Sequence, residues 1–324
     1  MAESESEMPP QARPNQADYA YDLERALSSV VGLRATVPED AFTAQTLGTE
    51  RAGNGVVIRE DGIVLTIGYL ITEAESLWLN TGDGRALPGH VVAYDQETGF
   101  GLVQALGRLD LPAIPLGQSA TAQVDDDIVV GGAGGRARSL AARISAKQEF
   151  AGYWEYLLDE ALFTAPAHPN WGGTAVLDAA GRLIGIGSLH LQQTRERGHS
   201  EHLNMNVPID LLKPIYDDLL TLGRANKPPR PWLGFYATEI EDHVVIAGLS
   251  NDGPARRANM RVGDILLAVA GHEVGTLAAL YRRLWSLGCA GVEVPLTLQR
   301  DGHTLTVTPR SANRAALLKK ARLQ

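Results

Sequence analysis

Residues 53–66 read G-N-G-V-V-I-R-E-D-G-I-V-L-T, two short β-branched and apolar runs joined by Glu60-Asp61-Gly62. An Asp-Gly step between such runs predicts a hairpin, because glycine supplies the positive φ that a twisted two-strand connection needs. The signal repeats outward. L-W-L at 77–79 precedes T-G-D-G, and A-V-L at 175–177 precedes D-A-A-G and then L-I-G-I-G. Many short strands with few helices between about residues 50 and 205 predict a β sandwich or barrel.

On either side the pattern changes. Residues 1–18 are polar, acidic and proline-containing, the composition of a disordered arm. A short helix is expected after Asp22, with Leu23, Leu27 and Val30 at helical spacing. The β region, taken as 19–223, closes on N-V-P-I-D at 206–210. A helix follows, with Leu212, Ile215, Leu219 and Leu222 on one face and Gly223 as its stop. Residues 224–230 are basic and proline-rich and read as a linker. A second, small α+β domain spans 231–310. Its one strong helix carries Leu277, Leu280, Tyr281 and Leu284 at i, i+3, i+4 and i+7, and R-D-G-H marks its last hairpin. Pro295 cannot donate to a ladder and belongs at an edge or bulge. Residues 311–324 form a basic tail containing Arg314, Lys319, Lys320 and Arg322.

The net charge of −9 argues against nucleic acid or an acidic membrane surface as partner, since phosphate binding needs a concentrated positive face. No apolar run approaches the ~18 residues of a membrane span. The first ten residues, M-A-E-S-E-S-E-M-P-P, hold no apolar export segment; the expected location is the cytoplasm, or the periplasm if the start is misassigned. Cys289 is the single cysteine, so no intramolecular disulfide forms, and its L-G-C-A-G-V setting reads as a buried turn.

Taken in order, the segments resemble the HtrA/Deg family of trypsin-like serine proteases over about residues 23–310. The hairpin at 53–66 is similar to the family's G-S-G-V-I-I-x-x-D-G-x-I-L-T. So is the stretch from L-N-T-G-D-G-R to V-V-A-Y-D-Q-E-T at 79–98. I-P-L-G-Q-S, G-R-L-I-G-I and N-V-P-I-D-L-L follow in family order. P-W-L-G-F at 231–235 and G-P-A-R-R-A-N-M-R-V-G-D-I-L at 253–266 resemble the start and core of an HtrA PDZ domain. The resemblance implies a mainly β chain, a trypsin-like double β-barrel followed by an α+β PDZ domain.

Serine-protease chemistry needs a hydroxyl to attack, an imidazole to take its proton and a carboxylate to orient the imidazole. The family's T-x-x-H-V reads T-I-G-Y-L-I here, which puts Tyr69 in the histidine slot. Its T-D-L-A-V-L reads T-G-F-G-L-V, with Gly99 in the aspartate slot. Its N-P-G-N-S-G-G-P reads H-P-N-W-G-G-T, with Trp171 in the serine slot. The glycine that supplies an oxyanion N–H is missing or replaced by Pro169, which has none. The resemblance therefore implies a pseudoprotease with no catalytic residue and no cofactor.

Other constellations carry less. His168, His190 and Ser188 lie near the degenerate segment, but sequence shows no convergence. His199 and His202 lack a third metal ligand, so no metal site is expected. Asp125, Asp126 and Asp127 read as a solvated turn, and G-G-A-G-G at 131–135 lacks the Lys-Ser/Thr of a phosphate loop. In the PDZ-like part the resemblance implies that Trp232, Leu233, Gly234 and Phe235 receive a ligand's terminal carboxylate, with Leu280 and Leu284 walling an apolar pocket. The expected partners are C-terminal or extended peptide segments, as in protein quality control. The alternatives are a peptidase with rebuilt chemistry, or an inactive subunit in a homo-trimer or mixed oligomer with active relatives, through Tyr19 and Tyr21.

Overall fold

The computed structural model describes residues 7–194 and 200–319. It divides into two units. The first takes residues up to Gln148, Glu160–Asn226 and those from Leu318 onward; the second takes Glu149–Asp159 and Lys227–Leu317.

The first unit contains two closed six-stranded barrels, as the β pattern and the resemblance predict. Strands β1 (Val30–Thr36), β2 (Glu50–Val57), β3 (Ile63–Ile67), β4 (Ser76–Asn80), β5 (Ala86–Tyr94) and β6 (Phe100–Ala105) close in the order β1-β2-β3-β6-β5-β4. The quoted hairpin pairs Val56 with Leu65 and Val57 with Val64, and Gly62 turns it at φ +89°. Strands β7 (Asp127–Gly131), β8 (Leu140–Gly152), β9 (Tyr156–Ala165), β10 (Ala175–Leu177), β11 (Leu183–Thr194) and β12 (Ser200–Pro208) close as β10-β11-β12-β9-β8-β7. Closure leaves no unpaired edge on either sheet. Each barrel is filled by its inward side chains: Val31, Leu33, Leu65 and Leu102 in the first, Ile128, Val130, Ile144 and Val176 in the second, all essentially inaccessible.

The second unit is a sheet of β13 (Phe235–Ile240), β14 (His243–Leu249), β15 (Ile265–Val269), β16 (His272–Glu273), β17 (Leu296–Arg300) and β18 (His303–Val307). Its order is β13-β14-β15-β17-β18, with β16 paired to β15, so β13 is an edge strand. The helix Leu277–Trp285 packs onto it, capped by the Thr276 side chain, which accepts from the Ala279 N–H. Pro295 sits just before β17, where its missing donor costs nothing.

Four expectations need correction. The arm predicted as disordered over 1–18 is ordered from residue 7. Met8 is buried in the second barrel's core and its N–H donates to the Ala137 carbonyl, while Pro10–Ala12 and Gln16–Asp18 form short 3-10 turns. Met8 and the partly buried Ala12 pack against the barrel core, and Gln16 ties the arm to Tyr21 and Leu23. The helix expected from residue 211 begins only at Tyr216, because Pro214 lacks an N–H and disfavours helical geometry before it; Gly223 ends the helix as predicted. Cys289 is exposed rather than buried. The second unit also exceeds 231–310: it takes residues from the expected linker, part of the expected tail and the tip of the β8–β9 hairpin.

Candidate functional sites: a filled cleft and a carboxylate cradle

Tyr69 lies in the 3-10 turn Gly68–Leu70 that follows β3. Buried Arg51 holds this turn from below, donating to the carbonyls of Tyr69 (2.8 Å) and Thr72 (2.9 Å). The Gly68 N–H donates to the Gly99 carbonyl at 2.7 Å, so the Tyr69 and Gly99 segments are neighbours. A Cβ placed on Gly172 would lie 2.8 Å from the Tyr69 hydroxyl, which brings the Trp171 segment to the same place. The three positions aligned by sequence thus converge in space, although they are 30 and 72 residues apart in the chain.

What converges there is chemically quiet. The Tyr69 hydroxyl donates to the Ser188 carbonyl at 2.9 Å, and burial pushes its pKa well above the ordinary tyrosine value. A phenol held this way does not accept a proton near neutrality. Gly99 offers no side chain. The Trp171 ring stands 5.3 Å from that of His190, which in turn lies 5.0 Å from His202. Burial, and then the charge of His202, lowers the His190 pKa.

The backbone around Trp171 is locked. Asn54 donates through Nδ2 to the carbonyls of Asn170 (2.9 Å) and Gly172 (3.0 Å), while its Oδ1 accepts from Ala133 N–H. Gly173 has φ +78°, and a Cβ there would fall 1.9 Å from the Asn54 carbonyl oxygen. Pro169 has no N–H, and the Asn170 N–H donates to His168 Nδ1 at 3.1 Å. His168 is 1% exposed and its Nε2 lies 2.8 Å from the Arg138 carbonyl. Since Nδ1 accepts, Nε2 carries the proton, and both ring nitrogens are engaged in structure.

A hollow of about 940 Å³ nearby is lined by Pro169, His190, Glu201 and His202, among others. No metal-binding cluster occurs among the described residues, and no helix among them is long and apolar enough to cross a membrane. His199 lies outside the described residues. Asp125, Asp126 and Asp127 are exposed, with Asp127 paired to Arg143, as a solvated turn requires.

The second site lies in the second unit, where three successive N–H groups converge on one carboxylate. Leu233 N–H approaches the two oxygens of Glu155 at 3.2 and 3.1 Å, Gly234 N–H donates at 2.7 Å and Phe235 N–H at 3.4 Å. The carbonyls of Leu233 and Gly234 point the other way, accepting from Ala255 and Ser250. Gly234 makes this possible: its φ is +76°, and a Cβ would meet the Trp232 ring at 2.7 Å and Gly253 Cα at 2.9 Å. Of the four residues named for a carboxylate cradle, three aim their N–H groups at one point, occupied here by the chain's own Glu155. Trp232 is the exception, because its N–H donates to the Ala312 carbonyl. Leu280 and Leu284 are fully buried, in the cluster that also contains Phe235 and Leu157. Sequence reasoning missed Glu155, and nothing in the chain's local pattern pairs it with residues 78 positions away.

Comparison with known proteins places these parts. Residues 53–186 match the trypsin-like peptidase domain family and residues 231–309 the PDZ domain family. A probable periplasmic serine endoprotease DegP-like from Pseudomonas fluorescens is 24% identical over 79% of the chain and 55% of its own length. The chain thus spans about half the length of the first such relatives. Serine endoprotease DegS of Salmonella typhimurium is 23% identical over 90% of the chain and 84% of its own. Among solved structures, HtrA-type protease AlgW with tripeptide superposes with a TM-score of 0.53 and 21% identity, covering 95% of this chain and 99% of that one, a likeness of fold.

Proposed function

We propose that this chain, a trypsin-like peptidase domain followed by a PDZ domain in the HtrA arrangement, is a peptide-binding protein whose peptidase domain performs no hydrolysis. The convergence of Tyr69, Gly99 and Trp171 carries the reading. The positions that need a base, an orienting carboxylate and a nucleophile hold a capped phenol, a hydrogen and an indole. Removing a whole triad costs about 10⁶ in rate. The loss of Pro169's N–H and the inward turn of Asn170's N–H weaken oxyanion stabilisation as well.

The PDZ domain supports binding through the N–H cradle at Leu233, Gly234 and Phe235 and the terminal place of β13 in its sheet, the edge at which an extended peptide adds to a sheet. The relevant partner class is the free C-terminus of another protein. Rebuilt hydrolytic chemistry gains no support from His168, whose nitrogens are both engaged. A trimer through Tyr19 and Tyr21 gains little, since the Tyr21 ring packs over Gly181 of its own chain.

A fluorophosphonate probe of activated serines tests the reading. It should label neither the wild-type protein nor Trp171→Ser, because a serine restored at 171 still lacks a base. Labelling of the wild type would overturn the proposal, and Ser188 would be the first residue to map.

A further inference from the structure

The carboxylate in the cradle belongs to the protein itself. Glu155 stands at the turn between β8 and β9, at φ +58°, and the surrounding tip repeats the other contacts of a strand-adding ligand. Ala237 N–H, on the edge strand β13, donates to the Tyr153 carbonyl at 2.9 Å. The Tyr281 hydroxyl, on the helix facing β13, donates to the Gly152 carbonyl at 2.8 Å and accepts from Glu155 N–H at 3.3 Å. Leu157 enters the apolar cluster that holds Leu280 and Leu284. Tyr153 lies 6.0 Å, ring to ring, from Tyr236. The tip is therefore anchored by a carboxylate, a main-chain bond to the sheet edge and an apolar side chain, the three features by which a C-terminal peptide is recognised.

We propose that the hairpin tip 150–157 is a built-in ligand of the PDZ groove, and that an incoming protein C-terminus binds by displacing Glu155 from the cradle. The inference rests on the peptide-binding reading above and adds its control. Two carboxylates cannot share three N–H groups, so the apparent affinity for a peptide falls by the fraction of molecules in which the tip is released. Salt bridges from Arg282 to Glu149 and Asp159 flank the tip. Arg282 and Glu149 are about half exposed and Asp159 mostly so, so these pairs add little to hold the tip.

The test uses the full chain and two pools of fluorescein-labelled random heptapeptides, one with free C-terminal carboxylates and one amidated. Glu155→Gly removes the anchor and keeps the positive φ of the turn; Glu155→Gln keeps the shape without the charge. Amide exchange at 150–157 and 233–235 reports directly whether the tip is docked. The expected result is that Glu155→Gly binds free-carboxylate peptides about tenfold or more tightly than wild type. Exchange protection of the tip should be lost in the variant, and the amidated pool should bind neither protein. Equal binding by wild type and variant would overturn the internal-ligand proposal while leaving peptide binding intact. No binding by a variant whose tip is released would overturn the peptide-binding reading itself. A tip that stays protected in both variants, with no binding, would make the hairpin a fixed part of the unit and also overturn the inference.

Discussion

The cleft around Trp171 and the groove around Gly234 have kept different things. In the cleft the scaffold survives: Gly173 retains its φ of +78°, Asn54 still ties the two barrels together, and the turn bearing Tyr69 is still held by Arg51. On the proposed reading, the groups that would do chemistry there are replaced. In the groove three N–H donors aim at one point, and that point is filled from within by Glu155. Backbone geometry is the more constrained of the two, because changing a backbone threatens the fold whereas changing a side chain in a cleft threatens only the reaction done there.

Substitutions at the two glycines test that contrast hardest. Gly173→Ala should destabilise the first unit by about 3 kcal/mol or more, because it combines a positive φ with a clash against main chain, and thermal unfolding would show it. A neutral result would mean that the cleft scaffold is not constrained. Gly234→Ala should cost about 2 kcal/mol in the second unit and abolish binding of carboxylate-terminated peptides, since the N–H cradle cannot keep its shape. Binding retained in that variant would place the peptide elsewhere.

A smaller effect separates the sites by pH. Burial pushes the Glu155 carboxyl up from 4.5 to about 7, against the N–H groups of Leu233, Gly234 and Phe235 and the charge of Arg314, with the Tyr281 hydroxyl beside it. The docked tip thus holds its proton more tightly than a free one. Docking is strongest below about pH 4.5 and weakens as pH rises to about 7, so a competing peptide gains over that window. Exchange protection of residues 150–157, corrected for intrinsic rates, should fall across it in the wild type and stay flat in Glu155→Gln. In the cleft the smallest change is Tyr69→Phe, which removes the bond to the Ser188 carbonyl and the side-chain hydrogen bond with Trp171, and should cost about 1 to 2 kcal/mol by urea unfolding.

Much of this was readable before any coordinates. Asp-Gly turns between β-branched runs located the hairpins, and the ordered strings located Tyr69, Gly99 and Trp171, which the fold brings together. The P-W-L-G-F segment was singled out through its resemblance to an HtrA PDZ domain, and its three converging N–H groups lie side by side in the chain. Glu155 was not legible. Its partners lie 78 residues away, and only the closure of β8 and β9 carries it there. The ordered arm was missed for a similar reason, since Met8 finds its place only against a finished barrel. Pro214 was in plain view and should have shortened the predicted helix.

The most direct test of the central claim is degradation of an unfolded model protein by the full chain at high concentration, followed by mass spectrometry, with DegS as the active control. No cleavage products beyond the buffer blank, from wild type or from Trp171→Ala, is the predicted result. Products that accumulate in proportion to wild-type protein would contradict it and show that the residues around Trp171 had acquired a chemistry of their own.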